Sequence, residues 1–145
     1  MAILDSLAEF SDAQSILSTA ASSNVVDTEV STGSSFAELG GGTPIWLVVR
    51  VNTVFAAATS TSFGFYAQLQ DCTASGGTYV TILQGIEQTG TLWVAGDTML
   101  AIPLPSHHRR YLRTRIVSTG CSGSTGNVDA YLALAPPNAI LASGR

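Results

Sequence analysis

The sequence predicts an all-β fold: an antiparallel β-sandwich of jelly-roll type, with about eight strands and short arms at both ends. Three observations carry this. Apolar and polar residues alternate with period two in several stretches, as they do in strands with one buried face. The alternating runs are short and are separated by segments rich in Gly, Ser, Thr and Pro. No long helical pattern is present. At 145 residues the chain has the length of one domain and can bury a full core. The reading divides it into an N-terminal arm (1–12), a jelly-roll β-sandwich domain (13–135) and a C-terminal tail (136–145).

The arm places Ile3, Leu4, Leu7 and Phe10 at helix-like spacing over too few residues to be stable alone in water. It either folds as a turn against its own core or grips a neighbour. "AQSILST" and "SNVVDTE" follow as short strands. "VSTGSSFAELGGGTP" (30–44) is a long loop with three consecutive glycines and a closing proline, and loops of that length are often functional. "PIWLVVRVNTVF" is the strongest strand, with Ile45, Leu47, Val49 and Val51 on one face and Trp46, Val48 and Arg50 on the other. In "SFGFYAQLQ", Phe63, Phe65, Ala67 and Leu69 point inward, whereas Gly64, Tyr66, Gln68 and Gln70 point outward. "TYVTILQGIE" sets Val80, Ile82 and Ile86 on one face, and "TLWVAG" reads as a short strand or a loop. "TMLAIPLP" is a strand stopped by Pro103 and Pro105. "RYLRTRIVS" and "NVDAYLALA" complete the sandwich, and Pro136 and Pro137 keep the tail out of the sheet.

Charged residues make up only 11% of the chain, against roughly 25% in typical soluble proteins. A surface covered by Ser, Thr, Gly, Asn and Gln suits a protein packed among neighbours, because docking desolvates little charge. The chain has no lysine, and with ten acidic residues its net charge is −4. That disfavours general nucleic-acid binding, which needs several cationic contacts to phosphate. Cys72 and Cys121 both sit in small-residue loops and read as free thiols of a reducing cytosol; spacing alone does not decide whether they pair. The N-terminus lacks the basic start of a signal peptide. The longest strongly apolar run, "IWLVV", is too short to span a bilayer. The expectation is a protein made and kept in a cytosol.

Both histidines and four of the six arginines crowd into "SHHRRYLRTR" (106–115). Read as a strand, "RRYLRTRIVS" turns Leu112, Thr114 and Ile116 inward and Tyr111, Arg113, Arg115 and Val117 outward. A hairpin to "NVDAYLALA" through "TGCSGSTG" then sets Arg115 opposite Asp129 and Arg113 opposite Tyr131, pairs that stabilise a sheet modestly. His107, His108, Arg109 and Arg110 precede the strand. They are either an exposed, solvated loop or a contact to an acidic partner, for which the planar guanidinium fork is suited. Two adjacent histidines are too few ligands for a metal site. No nucleophile elbow is present, and "GGGTP" precedes a strand instead of opening a helix, so it does not cradle phosphate. No standard P-loop exists without a lysine. The sequence therefore carries no expected enzyme activity and no expected cofactor.

Several stretches together have a familiar order and spacing: "EFSDAQSI", "AASSNVVDT", "GGGTPIWLVVRVNTVF", "SFGFYAQLQ" and "AIPLP…RRYLRTRIV". In that set the chain resembles the capsid cement, or decoration, proteins of tailed bacteriophages, in particular the small jelly-roll cement family of certain short-tailed phages. The resemblance covers nearly the whole chain and weakens in the tail and in "GIEQTGTLWVAGD". It implies a virion structural protein, made in the host cytoplasm, that adds to the outer capsid surface and clamps major capsid protein subunits. It also implies no catalytic residue, no cofactor, no direct nucleic-acid or membrane contact, and a small homo-oligomer, a dimer before a trimer. The expected contacts to the shell or between protomers are Leu7 and Phe10 in the arm, Phe36, Glu38 and Leu39 in the long loop, and His107, His108, Arg109 and Arg110. The outward strand face comprises Tyr111, Arg113, Arg115, Asp129 and Tyr131. The alternative is a carbohydrate- or receptor-binding jelly roll of a tail or spike, with Trp46, Trp93 and Tyr79 as its aromatic platforms or, equally, as packing residues.

Overall fold

The longest alternating stretch forms the longest strand. In the computed structural model, which describes residues 8–28, 44–57, 63–89, 92–120 and 122–134, β4 spans Trp46–Ala57. The other strands in chain order are β1 (Glu9–Ser15), β2 (Ala20–Ala21), β3 (Val26–Asp27), β5 (Gly64–Cys72), β6 (Val80–Gln84), β7 (Gln88–Thr89), β8 (Thr98–Pro103), β9 (Tyr111–Thr119) and β10 (Gly123–Ala133). One sheet runs β1-β10-β4-β8 and the other β2-β9-β5-β6. The short β3 continues the place of β2 along β9, and β7 continues that of β6 along β5. All pairings are antiparallel. The chain fills eight strand positions in two four-position sheets, which is the jelly-roll sandwich that the alternation predicts.

Inward faces supply the core as the period-two pattern requires. Leu47, Val49, Val51 and Phe55 from β4 meet Phe65, Ala67 and Leu69 from β5 and Leu112 and Ile116 from β9. Phe55 and Phe65 lie with ring centroids 4.3 Å apart, and Phe63 meets Phe65 edge-on at 5.7 Å. Such aromatic pairs add to plain area burial. Gly126 in β10 has φ +145, and a Cβ there would fall 2.8 Å from Phe55 Cγ, so glycine is needed for the strand to lie against that ring.

Trp93 is buried in the segment before β8, and its indole N–H donates to the Phe65 carbonyl at 2.9 Å. Residues 92–96 of "TLWVAG" are thus a loop, tied to β4 by Phe55 N–H to the Trp93 carbonyl and Gly96 N–H to the Val51 carbonyl. Trp93→Phe keeps an aromatic side chain but removes that donor and part of the buried indole volume, and is expected to cost about 2–3 kcal/mol in a denaturant unfolding experiment.

Four sequence expectations need correction. First, β9 and β10 do not pair with each other. They lie in opposite sheets, so their connection crosses the sandwich. Arg115 stands opposite Gln68 and Ala21, Arg113 opposite Gln70, Asp129 opposite Arg50, and Tyr131 opposite Val48 and Glu9. The hairpin reading assumed that neighbours in sequence pair, whereas a jelly roll alternates sheets. Second, the last four residues of the N-terminal arm, Glu9–Asp12, belong to β1, and Phe10 is fully buried. Third, Val80 and Ile86 are exposed, whereas Ile82 and Leu83 both pack on the core across a register shift between Leu69 and Gln70. Fourth, Gln68 and Gln70 alternate outward as predicted but are buried there. Leu7, Phe36, Glu38, Leu39 and Cys121 lie outside the described residues, as do the long loop's residues 30–43 and the C-terminal tail.

Candidate functional site

The stretch 106–115 divides into a lead-in loop and the first half of β9, and most of its polar groups are used within the fold. His108 is fully buried, and its Nδ1 lies 2.9 Å from the Arg109 carbonyl. It is therefore not the surface contact that the sequence placed there. Beside it, the Arg109 backbone N–H donates to Asp71 Oδ2 at 2.9 Å, and the guanidinium stands 3.8 Å from Oδ1. Asp71 is 4% exposed and faces inward at the end of β5, opposite Leu112. Nothing in the sequence marks it; the pattern places it in the small-residue loop "QDCTASGG", whereas β5 runs on to Cys72. A buried carboxylate needs partners, and the loop supplies them.

Arg110 grips the other side. Its Nε and Nη2 donate to the two Asp27 oxygens, each at 2.7 Å, and its guanidinium lies 5.1 Å from the Tyr111 ring centroid. The Arg110 carbonyl accepts from Thr28 N–H and Thr28 Oγ1. This fork-on-fork pair pins β3 to the start of β9. His107 is exposed.

Asp129 and Tyr131, expected on the same face as Arg113 and Arg115, lie on the other sheet. Asp129 accepts the Ala13 N–H at 2.7 Å and the Asn52 amide at 3.1 Å. Ala13 has φ 45, within an irregular stretch of β1, and the carboxylate captures the amide that this irregularity releases.

What remains is the outer face of the β2-β9-β5-β6 sheet. Along β9 it presents Tyr111, Arg113, Arg115, Val117 and Thr119, and along β5 Cys72, Gln70, Gln68, Tyr66 and Gly64, row by row. The rows are tied by a directional set of hydrogen bonds. Arg113 Nε donates to Gln70 Oε1 at 2.9 Å; Gln70 Nε2 donates to Thr81 Oγ1 at 3.0 Å; Thr81 donates to Gln68 Oε1 at 3.3 Å; Gln68 Nε2 donates to Gln84 Oε1 at 3.1 Å. Arg113 also stacks over Tyr79, 3.9 Å from its ring centroid. Burial raises the Tyr79 phenol above its ordinary pKa, Cys72 and Tyr111 add to this, and the Arg113 charge opposes it. Cys72 is buried beneath this corner as a free thiol.

At the far end of the face Thr119 donates to Glu87 across Gly64, beside an open depression of about 460 Å³. It is shallow and lined by the Phe63 ring as well as by polar groups, and no group of three His, Cys, Asp or Glu side chains among the described residues is placed to hold a metal ion. The described geometry is a polar β-face whose side chains are linked by hydrogen bonds.

The family described as Bbp16 matches residues 10–132, most of the chain. The chain belongs to the Bbp16 family. In this Bbp16-family protein the matched span starts at Phe10, the first fully buried side chain of β1, and ends inside β10. Family match and sandwich therefore coincide. A search of curated proteins gives no match.

Proposed function

We propose that this chain is a phage capsid cement protein, which binds the outside of an icosahedral shell and bridges neighbouring major capsid protein subunits. The observation that carries the reading is the Bbp16 family match over the whole sandwich, together with the ordered set of cement-like stretches in the sequence. The surface chemistry supports it. Few charges need desolvating on docking, and the broad outer face is held rigid by amide and hydroxyl groups. The protein works without a cofactor, as a small oligomer. It acts by linkage: a ligand that binds only the assembled, expanded shell stabilises that state by mass action, and many copies multiply the effect.

The glycan-binding alternative draws less support. Of its three aromatic platforms, Trp93 is in the core and Tyr79 is covered by Arg113. Copy number in purified particles separates the two. Quantitative mass spectrometry is expected to find this chain in hundreds of copies, near the number of capsid subunits. A handful per particle would assign it to the tail.

A further inference from the structure

We propose that the outer face of the β2-β9-β5-β6 sheet is a docking surface for a protein partner, and that Arg115 receives a carboxylate of that partner. The inference deepens the cement reading and rests on it for the partner's identity.

Arg115 stands apart from the other described arginines. Arg109 and Arg110 are bound to Asp71 and Asp27, Arg113 to Gln70 and Tyr79, and Arg50 reaches the Gly96 carbonyl. The half-buried Arg115 side chain has no hydrogen bond, ion pair or ring contact among the described residues. A half-buried cation without a partner forfeits hydration and receives little in return, so its placement mid-sheet calls for an anion from outside.

The surroundings favour an acceptor. Register puts Arg115 in one row with Gln68 and Gln84. The hydrogen bonds from Arg113 to Gln84 all run in one direction, so Gln84 accepts from Gln68 and its own amide N–H groups stay available as donors. The row thus offers donors at both ends. Among the described residues, by register the carboxylates nearest Arg115 on this face are Asp27 and Glu87, each two rows away, about 13 Å along β9. Asp27 is already held by Arg110, and Thr119 donates to Glu87. An incoming carboxylate at Arg115 would therefore meet a bidentate fork and no repelling neighbour among the described residues. The partner that fits is a protein surface presenting Asp or Glu.

Two experiments test this. In the first, the Arg115 Nε–H NMR signal of the intact chain, assigned with Arg115→Gln, is followed while a Thr-Glu-Thr-Glu-Thr peptide is added. The expected result is a saturable shift of that signal with the Arg50 signal unmoved. No shift, or equal shifts of both, overturns the proposal. A shift with maltoheptaose and none with the peptide overturns it in favour of a glycan. A shift caused in the free chain by Glu38→Gln overturns it in favour of the chain's own long loop.

In the second, empty expanded shells are titrated with wild type, Arg115→Glu and Arg50→Gln. At least tenfold weaker binding for Arg115→Glu, with Arg50→Gln within twofold of wild type, supports the docking face. Unchanged binding of Arg115→Glu overturns it. If wild type itself does not bind shells, the cement reading fails and the peptide titration alone decides the face.

Discussion

Phe10→Ala is expected to destabilise the isolated chain by about 3–5 kcal/mol, the usual range for emptying a fully buried phenylalanine site. Phe10 is 0% exposed, and it sits in β1 between residues paired with Tyr131 and Ala130 of β10. Its carbonyl also accepts the Asn24 N–H at 2.9 Å, so the backbone around it is fixed from two sides and cannot readily collapse into the space. For a domain of this size the loss corresponds to a melting temperature lower by roughly 10–15 °C. Thermal unfolding without any partner present checks it. The sequence leaves two readings for the arm that holds Phe10, a turn against the chain's own core or a grip on a neighbour, with Phe10 a candidate shell contact. An arm contact would leave the melting temperature unchanged and weaken shell binding only. The two outcomes separate a core residue from an interface residue in one experiment.

Asp71→Ala is expected to cost about 2–3 kcal/mol, because a buried charged acceptor is lost and the Arg109 N–H loses its partner. Asp27→Ala, removing the better-looking but more exposed ion pair, is expected to cost about 1 kcal/mol or less. The distances alone would rank them the other way: 2.7 Å for Arg110–Asp27 against 3.8 Å for Arg109–Asp71. Burial decides the order. The Asp27 and Arg110 side chains are 37% and 40% exposed, whereas that of Asp71 is 6% exposed. Asp71→Asn keeps an oxygen for the Arg109 N–H and should recover about half of the loss. Urea unfolding of the three variants checks the ranking, and equal costs for Asp71→Ala and Asp27→Ala would contradict it.

The legible part of the fold was the part governed by alternation. The inward sets Leu47, Val49, Val51 and Phe65, Ala67, Leu69 and Leu112, Thr114, Ile116 are all buried as the period-two pattern requires. Strand partners were not legible, since alternation tells which face a residue takes but not which strand lies beside it. Arg113 and Arg115 were correctly turned outward and then given the wrong neighbours. Asp71 could not be found from the sequence, because its role depends on a loop 38 residues later closing over it. Gln68 and Gln70 looked solvent-facing, and only the crossing network with Thr81, Gln84 and Arg113 buries them. The cluster 106–115 drew notice by its charge, yet its main work is structural. His108, Arg109 and Arg110 bind the fold's own groups, and Arg115 is left to face outward.

A cement protein must bind an assembled shell. The most direct test of this is co-sedimentation of the purified chain with empty, expanded capsid shells, alongside a random DNA duplex. The account predicts saturable binding at near one copy per capsid subunit and none to DNA. Absence of binding to shells would contradict it, and salt-sensitive binding to the duplex would show that the arginines of residues 106–115 serve nucleic acid instead.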